Sequence, residues 1–112
     1  MSGKISPELG WFEPIRSLAF GGIGLVYAPI GAEIDHPTRV FIINNTTDIP
    51  VVISFDGISS HLLLMEGVNY IIDTASNGIS LPKGTIFYVR QGTAVAATEG
   101  LVAVSIGYNV KI

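Results

Sequence analysis

Residues 38–55 read TRVFIINNTTDIPVVISF. Two apolar runs rich in β-branched residues, 40–43 and 51–55, flank a polar connector at 44–50. That pattern predicts two antiparallel strands joined by a turn. Phe41 and Ile43 would share one face of the first strand, and Val40 and Ile42 the other. Both faces are apolar, so the strand is expected to be covered on both sides. Asn44, Asn45 and Asp48 suit the connector, because Asn and Asp bond their own backbone and tolerate left-handed conformations.

The same grammar extends outward in both directions. Asp56-Gly57 is a strong turn signal after the second run. Apolar segments at 61–64 and 68–72 follow, separated by Met65-Glu66-Gly67. In 85–90, Ile86, Tyr88 and Arg90 alternate with Phe87 and Val89. The clearest alternation lies at 101–108, where Val102, Val104, Ile106 and Tyr108 face one way and Ala103, Ser105 and Gly107 the other. That second face is small and flat, which suits the close approach of another sheet or chain. Toward the N-terminus, 17–27 reads SLAFGGIGLVY, with period two on either side of a slip at Gly21-Gly22 that a β-bulge would reconcile. Residues 28–37 read as a bend, a short edge segment and a loop. No stretch of ten residues carries a 3.6-residue apolar period.

The prediction is therefore all-β: a single-domain antiparallel β-sandwich, or jelly-roll-like fold, of seven or eight strands over residues 17–112. An irregular N-terminal arm, 1–16, precedes it. Pro7 and Pro14 bracket the aromatic pair Trp11-Phe12 in that arm and discourage a helix there. The pair is expected to dock on the domain's own core or on a neighbouring subunit.

Composition bounds the function. Of 112 residues only 13% are charged and 48% are hydrophobic, against roughly 25% charged in an average soluble domain. A small domain with so little charge is expected to cover part of its surface with other protein chains. The net charge is −3 and the six basic residues are scattered, which argues against nucleic acid. There is no cysteine, hence no disulfide, thiolate metal site or Cys nucleophile. The first residues lack the apolar core of a signal peptide, and no apolar run approaches the roughly 20 residues of a membrane helix. No membrane partner is expected.

No constellation of catalytic or metal-ligating residues emerges, and no cofactor is expected. Asp35-His36-Pro37 reads as a turn with a solvated His, since adjacent side chains there diverge. Asp56 and His61 flank one turn and read as a hydrogen-bonded pair that shapes the loop, with no accompanying nucleophile. Asp35, Asp48, Asp56, Glu66 and Asp73 lie at turns or strand ends, where carboxylates are usually solvated. Trp11, Tyr70, Tyr88 and Tyr108 could form a carbohydrate platform, but tyrosines inside strands more often pack against core or interface.

The order of several motifs carries a resemblance. Ser17-Leu18-Ala19-Phe20-Gly21 opens the domain and Asn44-Asn45-Thr46 ends a strand. Ser54-Phe55-Asp56-Gly57 precedes His61, and Leu81-Pro82-Lys83-Gly84-Thr85 precedes Phe87-Tyr88-Val89. Gly92-Thr93-Ala94 then leads to the closing strand with Val102, Val104, Ser105 and Tyr108. In this order the chain resembles a group of small virion proteins of tailed bacteriophages. The likeness runs from about residue 17 to 108. It implies a non-enzymatic structural protein of the virion, assembled in the host bacterial cytoplasm at the head–tail connection or tail. A capsid decoration protein is the alternative. It also implies portal, adaptor, tail or major capsid proteins as partners, and a multi-copy or homo-oligomeric assembly. The residues expected at subunit interfaces are Trp11, Phe12, Asn44, Asn45, Asp48, Asp56, His61 and Tyr108.

Overall fold

The computed structural model describes residues 8–74, 78 and 80–111, and only the backbone of 8–10, 110 and 111. Nine strands are present among them: β1 (Glu8–Phe12), β2 (Arg16–Ala19), β3 (Ala28–Pro29), β4 (Val40–Asn45), β5 (Val51–Ser54), β6 (Leu62–Leu64), β7 (Asn69–Asp73), β8 (Tyr88–Gln91) and β9 (Leu101–Lys111). They form two antiparallel sheets of a β-sandwich, as the alternating pattern predicts. The first sheet runs β1-β9-β4-β7, with β2 also paired to β9; the second runs β3-β8-β5-β6.

The long β9 organises the first sheet. Its inner residues Val102, Val104 and Ile106 are fully buried, and the intervening Ala103 and Ser105 stay half-exposed on the outer face. Gly107, in the same outer row, is covered. A Cβ there would lie 2.6 Å from Val40 Cγ1 and 3.4 Å from the Phe12 ring, so only glycine lets both neighbours close over it. Opposite β9, Phe41 and Ile43 of β4 point inward and are fully buried. Phe41 and Phe87 meet edge to face at 5.3 Å, and Phe55 completes the aromatic centre of the core at 5.3 Å from Phe87. Each such fully buried side chain contributes roughly 1.5–3 kcal/mol.

The stretch 38–55 does not close as a hairpin. β4 belongs to the first sheet and β5 to the second, so residues 46–50 carry the chain across the sandwich. The reason is a buried polar network. Asn45 is buried, and its side-chain amide shares its N–H groups among the carbonyls of Ile49 (3.0 Å), Leu64 (3.2 Å) and Met65 (3.1 Å). Its Oδ1 accepts from the Thr47 N–H at 3.0 Å and from the Thr47 hydroxyl at 2.6 Å. With Ile49 and Val51 also buried, the connector is pulled inward instead of folding back on β4.

Two further expectations are corrected. Within the arm expected to be irregular over 1–16, Glu8–Phe12 is regular and pairs with β9, Phe12 facing Gly107 and Trp11 facing Tyr108. Residues 1–7 of that arm lie outside the described residues, as do 75–77 and 79 of the loop after β7. The chain slip predicted at Gly21-Gly22 is a 3-10 turn, Phe20–Gly22. A bulge does occur, but earlier. Phe12 faces Gly107 while Arg16 faces Val104, so four steps of chain oppose three. Pro14 sits in that irregular step, where its missing N–H costs no ladder bond.

Candidate functional site

The bulge builds the first cluster. It turns Glu13 inward, where the residue is buried. Oε1 accepts from Arg16 Nη2 at 2.7 Å, and Oε2 accepts from the Asp35 N–H at 3.0 Å and lies 2.7 Å from His36 Nδ1. Arg16 also donates to the carbonyls of Ala32 and Glu33, both at 2.9 Å. Burial alone would raise the Glu13 pKa; the bonds from His36, Arg16 and the Asp35 N–H outweigh it and hold the carboxyl below its ordinary value. An ionised carboxylate only accepts, so His36 donates from Nδ1. The His36 ring stacks on Tyr108 at 3.6 Å, with an angle of 1° between the planes. Sequence reading left His36 solvated in a turn; its side chain does keep 43% exposure, but Glu13 and Tyr108 also clamp it. With both Glu13 oxygens engaged, the arrangement ties the edge strands to residues 32–36.

Beyond this clamp the β1–β9 ribbon overhangs the sheet. β4 reaches β9 only as far as Gly107, and residues 108–111 pair with β1 alone. Trp11 and Phe12 are consequently 49% and 61% exposed, which is high for such large apolar rings. Together with Arg39, Val40, Gly107, Tyr108 and Asn109 they line a groove of about 180 Å³. Arg39 pairs with Asp73 at one wall. Three of the sequence-nominated interface residues, Trp11, Phe12 and Tyr108, are thus brought together.

The others do not join them. Asn44 is half-buried on the outer face, opposite Asn69 and Ala103. Asn45 lies inside the protein, within the crossover network. Asp48 is exposed and accepts from the hydroxyl and the N–H of Thr98, which lower its pKa. Asp56 and His61 share a loop, but their hydrogen bonds go elsewhere. Asp56 Oδ1 accepts from the N–H groups of Ser59 and Ile58, both at 2.8 Å, and from the Ser54 hydroxyl at 2.8 Å. Those bonds pull its pKa down to about 2. His61 Nδ1 accepts from the Phe55 N–H at 3.0 Å, and its ring stacks on Phe55. The hydrogen-bonded Asp56–His61 pair expected from sequence is therefore replaced by two separate side-chain-to-backbone supports of one loop.

A second groove, of about 270 Å³, lies on the outer face of the second sheet and is lined by Val52, Ser60, His61, Leu62, Leu63 and Arg90. The register sets Leu63, Val52 and Arg90 side by side across β6, β5 and β8. The alternation in 85–90 correctly separates Tyr88 and Arg90 from the buried Phe87 and Val89. What it could not reveal is how Arg90 is held. Nη1 donates to the Gln91 carbonyl at 2.8 Å, Nη2 to Ser60 Oγ at 3.3 Å, and the guanidinium lies 5.3 Å over the Tyr27 ring. Tyr27 in turn bonds Ser60 at 2.6 Å. These residues are 30 or more positions apart, and no local motif announces them.

Comparison with known proteins adds no relative: no protein-family model matches the chain, and no curated protein matches it.

Proposed function

We propose that this chain is a structural subunit of a tailed-phage particle, working through protein–protein contacts and not through catalysis. The order of strand and turn motifs supports the phage reading. The observation that carries the contact role is the overhanging ribbon, which holds Trp11 and Phe12 largely in water beside an apolar groove. Aromatic rings on a rigid two-stranded support cost little entropy to dock and supply large contact area. We place the subunit at the head–tail connection or tail, where a neighbouring ring or fibre would cover that end. Capsid decoration is the second reading, favoured by the small, half-exposed outer-face residues Ala103 and Ser105.

Copy number in purified particles tests both. A ring-bound subunit is expected at about a dozen copies per particle, and a decoration protein at several hundred. Absence from the particle overturns both readings.

A further inference from the structure

Among the described residues, Arg90 has no anionic partner. The ion pairs among the described residues take up Arg16 and Arg39 but not Arg90. The Gln91 carbonyl and Ser60 use two of its five N–H donors. Arg90 lines a groove with apolar walls, Val52 and Leu63, and Leu63 is 64% exposed. Held by Tyr27 and Ser60, the guanidinium is pre-organised for a carboxylate. At about 270 Å³ the groove falls just below the roughly 300–1,000 Å³ of small-molecule pockets, so a protein side chain and its neighbour suit it better than a free ligand.

The chain carries a matching knob. Among the described residues, the carboxylates of Glu33, Asp35, Glu66 and Glu99 have no hydrogen-bond or ion-pair partner. Of these, only Glu66 directly follows an exposed large apolar side chain, Met65 at 50%, with Val68 at 41% two residues on. The turn that presents it is rigid. Met65 O accepts from Asn45 Nδ2 at 3.1 Å, the Gly67 N–H donates to the Asn45 carbonyl at 2.9 Å, and Gly67 takes the φ of 73° that the turn requires. Knob and groove are also neighbours: residues 65–68 directly follow β6, which supplies Leu63 to the groove wall and has a sheet partner on one side only.

From these observations we infer that the β6 margin binds a second copy of this chain, Glu66 of each copy entering the other's groove to pair with Arg90. A two-fold axis beside β6 would make both contacts at once and leave Leu63, Met65 and Val68 of the two copies against each other. This goes beyond the proposed virion role and does not depend on it, since self-association of the purified chain and copy number in a particle are separate measurements.

The test is sedimentation of the purified full chain over a concentration series, with Arg90→Glu, Glu66→Arg, the double variant and an equimolar mixture of the two single variants. The wild type is expected to form dimers. Each single variant should weaken association at least tenfold, and both the double variant and the mixture should recover it. Circular dichroism establishes that each variant is folded. If Arg90→Glu does not fold, Glu66→Arg, on an exposed turn, still tests the contact through its own loss and its recovery in the double variant. A wild type that stays monomeric, single variants that associate like wild type, or charge exchange that restores nothing would each overturn the inference. A monomer whose groove binds acidic segments of other proteins is among the overturning outcomes.

Discussion

β5 separates two loops that use the same chemistry at opposite depths. At one end, Asn45 and Thr47 hold residues 46–50 by side-chain bonds to backbone, and both side chains are buried. At the other, Asp56 and Ser54 hold residues 55–59 by the same kind of bond, but Asp56 is exposed. The bonds are alike in kind, side-chain oxygen or amide to nearby backbone. What differs is the cost of losing them. Water replaces a lost partner at Asp56; nothing replaces one at Asn45. The buried network therefore decides where the chain goes, and the exposed one only trims a loop that Phe55 has already anchored in the core.

The comparison can be broken most sharply at Gly100. It has φ of 88°, and a Cβ there would lie 2.2 Å from the Thr46 carbonyl oxygen and 2.8 Å from Thr47 Cα, both backbone of the crossover. Gly100→Ala should cost about 4 kcal/mol in urea unfolding, because neither backbone can retreat. A cost below 1 kcal/mol would mean that the crossover is not rigid. Asn45→Ala should cost about 3 kcal/mol, since it strands the buried Thr47 N–H and takes a donor from each of the Ile49, Leu64 and Met65 carbonyls. Thr38 sharpens the contrast from the other side. Its hydroxyl oxygen is buried and has no partner among the described residues, so Thr38→Val should stabilise the protein by about 1 kcal/mol.

The smallest effect is expected at Asp56. Its folded pKa of about 2 lies below the ordinary 3.8, so between those values the folded state binds fewer protons than the unfolded state. Stability from this residue is then complete above about pH 4 and is lost as pH falls through about 2. Asp56→Asn should flatten that part of the acid melting profile and lower stability at neutral pH only slightly, because water solvates the exposed backbone N–H groups it releases. An equally large loss for Asp56→Asn and Asn45→Ala would erase the difference between the two loops.

The positions that sequence reading handled well are those where burial follows local alternation. Val102, Val104 and Ile106 fall inward because a strand has period two, whatever it pairs with. The clamp and the grooves resisted because they join distant segments. Glu13 meets His36 only through a bulge created by the pairing of β1 and β2 with β9, and Arg90 meets Tyr27 and Ser60 only across a folded sheet. Asn45 misled for a related reason. An Asn after a strand signals a turn equally well whether its side chain faces water or the core.

By itself, then, the amino-acid sequence determined the all-β class, the approximate strands and the inward face of most of them, because alternation and turn chemistry act over a few residues. Tertiary structure alone decided that 38–55 spans two sheets, that the expected arm becomes a strand from Glu8, and that Arg90 has no carboxylate partner among the described residues while Glu66 stands exposed beside Met65. Those outcomes depend on which buried polar groups and charges find partners, and the partners lie far along the chain.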